Sequence, residues 1–229
     1  MTTVDSNRHA LRGTHKNNTL HSFSGSFARA LIAAFLLALP MLAQGNTLVI
    51  YGDSLSAAYG IEEENGWVSL LQERIAKQAP TWQVVNASIS GETTDGGLRR
   101  IERMLETQSP DLVVLELGGN DGLRGKDPSA IRSNLARMVE RIRSEGARVL
   151  LVGIEIPPNY GRAYTDAFRS QYRRLAKEKN LTFIPFLLEN IHNRQGMMQE
   201  DGIHPTAEAQ PLIRNRVWDA LHPLLEKAD

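Results

Sequence analysis

From residue 46 onward, hydrophobic positions follow two alternating patterns. Short unbroken apolar runs occupy residues 47–51, 83–86, 112–117, 148–154 and 181–184. An unbroken run this short reads as a strand buried on both faces. Between the runs, apolar residues recur every third or fourth place, which predicts amphipathic helices. The repeating sets are Trp67, Leu71, Ile75; Leu98, Ile101, Leu105; Ile131, Leu135, Met138, Ile142; and Phe168, Tyr172, Leu175. A last helix carries Leu212 or Ile213, then Val217, Leu221 and Leu224. Strands alternating with helices imply βαβ units, hence one three-layer α/β domain around a five-stranded parallel sheet. Sites in such sheets form beyond the carboxyl ends of the strands. The polar residues just after each run are therefore where chemistry is to be sought.

The first run ends in Gly52-Asp53-Ser54-Leu55-Ser56. A serine leaving a strand can present its hydroxyl at the sheet edge, or it can merely cap a helix. Position 56 is serine, so this is not the Gly-x-Ser-x-Gly elbow of ordinary α/β-hydrolases. Gly91, after the second run, opens a predicted helix and could aim its amide at an anion; the alternative is a turn glycine with Thr93 or Thr94 as cap. Asn120, in Gly118-Gly119-Asn120-Asp121-Gly122, offers an amide to developing negative charge, or belongs to a plain turn.

Only three histidines follow residue 45: His192, His204 and His222. His222 closes a helix and is expected against its terminal carbonyls. His192 follows Glu189 without further ligands nearby and is expected on the surface. His204 sits in Asp201-Gly202-Ile203-His204-Pro205, just before the last helix. That spacing lets the carboxylate accept from Nδ1 and leaves Nε2 free as a base. Each feature has a bland alternative when taken singly. Together they supply a nucleophile, two oxyanion donors, a base and its orienter at one predicted edge.

Composition narrows the chemistry further. The 229 residues contain no cysteine, which excludes disulfides, thiol nucleophiles and cysteine-ligated metals. Lysine plus arginine total 26 against 26 acids, without a basic stripe, which argues against nucleic acid as partner. Residues 1–45 hold Arg8, Arg12, Lys16 and Arg29 against Asp5 alone, followed by an apolar run at 30–39, Pro40, Ala43 and Gly45. A membrane-spanning helix needs about 20 apolar residues, so stable insertion is not expected. The pattern is that of a secretory signal cleaved after Ala43 or Gly45, with an uncleaved anchor as the alternative. It divides the chain into a signal region, 1–45, and a domain, 46–229.

The segments Gly52-Asp-Ser54-Leu-Ser, Gly91, Gly118-Gly-Asn120-Asp and Asp201-Gly-Ile-His204-Pro resemble the four blocks of the SGNH (GDSL) hydrolases, across residues 46 to about 225. The agreement extends beyond the minimal blocks at 86–91, 116–125, 158–161 and 201–205. The resemblance implies a three-layer α/β/α, flavodoxin-like fold and a serine esterase acting on carboxylic esters and thioesters, among them fatty acyl esters, acyl-CoA and lysophospholipids. It implies Ser54 as nucleophile, His204 as base, Asp201 as its orienter, and an oxyanion hole of Ser54, Gly91 and Asn120. No metal or organic cofactor is implied. Leu123 and Tyr160 are the candidate walls for an acyl chain. Alternatives are a carbohydrate acetylesterase of the same family, a dinuclear metallophosphoesterase on Gly119-Asn120-Asp121 and Asp201-x-x-His204, for which three histidines are few, and a non-catalytic acyl- or carbohydrate-binding protein. His204 must be neutral to accept a proton, so acid is expected to suppress activity.

Overall fold

The computed structural model describes residues 45–226. The expected signal region lies outside them except for Gly45. Five parallel strands, β1 (Asn46–Gly52), β2 (Trp82–Asn86), β3 (Leu112–Glu116), β4 (Arg148–Val152) and β5 (Thr182–Ile184), form one sheet in the order β2-β1-β3-β4-β5. They lie where the apolar runs place them, and the α/β expectation holds. Among the described residues, six α-helices accompany them: α1 (Trp67–Gln78), α2 (Thr94–Gln108), α3 (Gly119–Leu123), α4 (Pro128–Ser144), α5 (Arg162–Lys179) and α6 (Gln210–Leu225).

The alternation of side chains along β1 explains the three layers. Leu48 and Ile50 point into one core with Trp67, Leu71 and Ile75 of α1 and Ile213, Val217 and Leu221 of α6. Val49 and Tyr51 point into the other, against Ile101, Leu135, Met138, Phe168 and Tyr172 of α2, α4 and α5. All four β1 side chains are fully buried. Each buried aliphatic side chain contributes about 2 kcal/mol, so a strand apolar on both faces settles at the sheet's centre.

The strand order places β1 between β2 and β3, so the winding reverses there. The crevice beyond the carboxyl ends of β1 and β3 is the place such a sheet offers a ligand. Ser54 follows β1, Gly91 follows β2 and Asn120 follows β3, so all three segments reach that edge.

The structure excludes one local alternative and supports another. Residues 53–60 wind through turns rather than into a helix, and the Asp53 carboxylate Oδ1 accepts the Leu55 N–H at 3.1 Å. Neither Ser54 nor Asp53 therefore caps an α-helix. Gly91 does not open α2, which begins at Thr94 with Thr93 as its cap, the Thr93 hydroxyl accepting from Gly96 N–H at 3.2 Å. Gly91 instead turns the chain before the helix at φ +78°, a conformation that favours glycine.

Candidate active site

Ser54 and His204 are 150 positions apart in sequence and meet at the sheet edge. The Ser54 hydroxyl donates to His204 Nε2 at 2.9 Å. His204 Nδ1–H donates to Asp201 Oδ2 at 2.6 Å. The other carboxylate oxygen, Oδ1, accepts the backbone N–H groups of Ile203 at 2.8 Å and His204 at 3.0 Å. Burial pushes the Asp201 carboxyl up, but the hydrogen bonds from His204 and these two amides outweigh it and leave it below its ordinary range. An ionised Asp201 holds the imidazole with Nδ1 protonated, and Nε2 is left as the acceptor.

Two residues that sequence reading passed over fix this imidazole from outside. The Tyr59 ring lies against it, centroids 4.4 Å apart and tilted by 37°. Gln199 ties the two turns together: its backbone N–H donates to His204 O at 2.8 Å, and its side-chain amide donates to Tyr59 O at 2.9 Å and Pro205 O at 3.1 Å. Tyr59 lies five positions after Ser54, and nothing in the local pattern marks it as a partner of residue 204.

Ser54, Gly91 and Asn120 line one cleft with His204. Among the described residues, the backbone N–H groups of Ser54 and Gly91 donate to no protein acceptor. The Asn120 amide nitrogen donates one N–H to Asp53 Oδ2 at 3.2 Å. Three N–H-bearing groups thus line the same cleft as the Ser54 hydroxyl.

The segments carrying Gly91 and Asn120 are pinned by ionic groups behind them. Arg100 on α2 donates to Glu92 at 2.7 Å and to Ala87 O at 2.8 Å, bracketing the Gly91 turn, while its guanidinium lies 3.9 Å from the Tyr51 ring centroid. Asp121, beside Asn120 and buried, accepts the Thr94 N–H at 2.7 Å and the Thr94 hydroxyl at 2.8 Å, and pairs with Lys126 at 3.2 Å. A carboxylate at the start of α2 also meets the positive end of the helix dipole. Asp121, the ligand a dinuclear metal alternative needs, is thus committed to structure. Asp121→Ala is expected to cost about 3 kcal/mol of stability, because it orphans buried donors and a paired cation. Urea unfolding of the variant against the parent checks this.

The cleft has a volume of about 630 Å³. Leu123, Ile154, Ile156, Phe186, Leu187 and Leu188 give the cleft an apolar lining, with Glu155 and Arg169 also facing it. Leu123 is where the sequence places it. Tyr160 is not on the wall: it stands outside, its hydroxyl donating to Leu123 O at 2.8 Å, and Pro157 and Pro158 line the cleft instead. His192 is exposed as expected, yet it borders the cleft, its Nδ1 meeting Leu188 O at 3.1 Å. His222 packs against Trp218, ring centroids 4.8 Å apart, with Glu226 at 3.6 Å, rather than against terminal carbonyls.

Gly52 is fixed by close packing against its neighbours. It pairs in register with Glu116, and a Cβ there would come within 2.7 Å of both Glu116 Oε2 and Ser56 Oγ. The glycine makes room for a buried carboxyl. Glu116 was itself legible as an anomaly, the one charged residue closing a strand otherwise apolar.

A doubly wound parallel sheet with a serine–histidine–carboxylate chain at its carboxyl edge defines a serine-type hydrolase. The chain belongs to the GDSL-like Lipase/Acylhydrolase family, whose profile matches residues 50–211. It is 50% identical over 200 residues to the esterase TesA of Pseudomonas aeruginosa, covering 86% of this chain and all of that one. It is 40% identical over 209 residues to thioesterase 1/protease 1/lysophospholipase L1 of Escherichia coli, covering 89% of this chain and 97% of that one. The crystal structure of the psychrotrophic esterase EstA from Pseudoalteromonas, inhibited by monoethylphosphonate, superposes with a TM-score of 0.75 at 41% identity, covering 80% of this chain and all of that one. The chain is an acylhydrolase of this family.

Proposed function

We propose that the chain is an exported serine esterase that cleaves acyl esters and thioesters by a two-step acyl-enzyme route. Ser54 Oγ attacks the substrate's carbonyl carbon as its proton passes to His204 Nε2. Asp201 holds the imidazole and stabilises the imidazolium that results. The carbonyl oxygen, now negative, accepts from the Ser54 and Gly91 amides and the Asn120 side chain. As the tetrahedral species collapses, the alcohol or thiol departs with the proton from His204. Water then attacks the acyl carbon and gives a proton to His204. Collapse frees the carboxylic acid and returns that proton to Ser54. The observation carrying this reading is the unbroken Ser54–His204–Asp201 hydrogen-bond chain, opening into a cleft beside unengaged N–H donors.

The apolar wall of the cleft speaks for a hydrocarbon acyl chain rather than an acetylated sugar, whose hydroxyls need polar partners. The related esterase, thioesterase and lysophospholipase named above support the same class. A panel of p-nitrophenyl esters from acetyl to palmitoyl, with an acyl thioester and an acetylated xylo-oligosaccharide, tests it. Highest kcat/KM on esters with chains longer than acetyl is expected. Faster acetate release from the oligosaccharide than from any acyl ester contradicts the proposal.

Export rests on the basic, apolar and small-residue order of residues 1–45. Sequencing the N-terminus of protein recovered outside the cytoplasm should find Gln44 or Asn46 first. An intact Met1 in that fraction contradicts cleavage.

A further inference from the structure

Two carboxyl groups lie buried directly behind the Ser54 turn, and the hydrolytic route described above uses neither. Asp53 is 2% exposed and Glu116 fully buried. Asp53 Oδ1 accepts the Leu55 N–H and Oδ2 accepts an N–H of Asn120. Glu116 Oε2 accepts the Asp53 backbone N–H at 3.3 Å and the Ser56 hydroxyl at 2.7 Å, while Oε1 has no protein partner. Residues 53–56 are thereby tied at one end to the oxyanion side chain and at the other to β3.

We propose that Asp53 is the positioning residue of the oxyanion hole, its buried carboxylate fixing which way the Asn120 amide faces, with Glu116 anchoring the turn from behind. The inference rests on Asn120 being an oxyanion donor. A carboxylate can only accept, so the Asn120 group facing it must be the NH₂. One N–H is spent on Asp53 and the second is left for the cleft that Asn120 lines. An asparagine at position 53 removes this constraint. Its oxygen stays with the Leu55 N–H, and its NH₂ turns toward Asn120. Asn120 then either opposes donor to donor or flips, placing a carbonyl oxygen where the oxyanion needs a hydrogen.

The electrostatics support a titratable version of this device. Burial, set against the Leu55 and Asn120 hydrogen bonds, raises the Asp53 carboxyl to about 6. The charged and titratable groups facing it are Glu116 on β3, Asp121 on α3 and His204, with Tyr172 of α5 sensing both carboxyls. Burial, then the Asp53 charge, lifts the Glu116 carboxyl well above the ordinary range. A group whose folded value is raised favours the native state when protonated, and that stability is lost as pH rises through about 6. Ionised Asp53 is thus a burden on the fold above that pH, and it is in this form that it grips the Asn120 amide.

The test compares Asp53→Asn, Asn120→Ala and the double variant, with thermal unfolding at pH 8. Asn120→Ala should lose about a hundredfold or more in kcat, the usual cost of an oxyanion donor. Asp53→Asn should lose about tenfold to a hundredfold in kcat with KM little changed, and should melt no lower than the parent. In the Asn120→Ala background, Asp53→Asn should add almost nothing. Independently of any change at position 53, the ratio of parent to Asn120→Ala activity should shrink as pH falls through about 6. Additive losses in the double variant, or a pH-independent ratio, overturn the inference. Full activity of Asn120→Ala removes the donor itself, and with it the reading on which the inference stands.

Discussion

Ser54→Ala is expected to lower kcat by about 10⁶, the loss measured when the nucleophile of an unrelated serine protease is removed. The size follows from the chemistry. Alanine leaves no covalent route, and water in its place lacks both the fixed geometry and the hydrogen bond to His204 seen at 2.9 Å. The oxyanion donors and the cleft persist, so a residual rate of about 10³ to 10⁴ over water should survive. Kinetics on a p-nitrophenyl ester, with folding checked by circular dichroism, measure it. Activity within tenfold of the parent would remove Ser54 from the mechanism.

His204→Ala is expected to cost nearly as much, about 10⁶ in kcat, and Asp201→Ala less, about 10⁴. Without His204, the hydroxyl has no acceptor and the leaving group no donor, so one deletion disables both half-reactions. Asp201 meets the imidazole by the 2.6 Å hydrogen bond from Nδ1 and also holds the Ile203 and His204 amides, so its loss should free the ring to adopt the wrong tautomer. Because these groups act as a unit, Ser54→Ala combined with His204→Ala should be hardly slower than Ser54→Ala alone. Losses that multiply would mean that the two residues serve separate steps.

Much of the architecture was legible because local periodicity and burial share one cause. β1 and β3 are apolar at consecutive positions since both faces of a central parallel strand are covered. Helix α4 was legible from Ile131, Leu135, Met138 and Ile142, all fully buried. The candidate site was legible in its types: Ser54, Gly91, Asn120, Asp201 and His204 each follow or adjoin a strand or helix boundary that the pattern marks. What stayed hidden depends on contacts across long sequence distances. Gly52 earns its place through Glu116 in the neighbouring strand, and no local pattern states that pairing. Tyr59 against His204, and Gln199 between them, join segments some 140 positions apart. Tyr160 shows the same limit: which way a loop side chain turns is set by tertiary partners, here Leu123 O.

Mapping of a fluorophosphonate adduct by mass spectrometry tests the central claim most directly, that His204 activates Ser54 for attack at an acyl-like centre. Such a probe forms a bond to the attacking oxygen and expels fluoride, and the tetrahedral phosphorus sits where the acyl carbon would. One adduct per chain on the peptide containing Ser54, strongly slowed by His204→Ala and absent from Ser54→Ala, is the predicted result. Labelling at another residue, or labelling of Ser54 at an undiminished rate without His204, would contradict it.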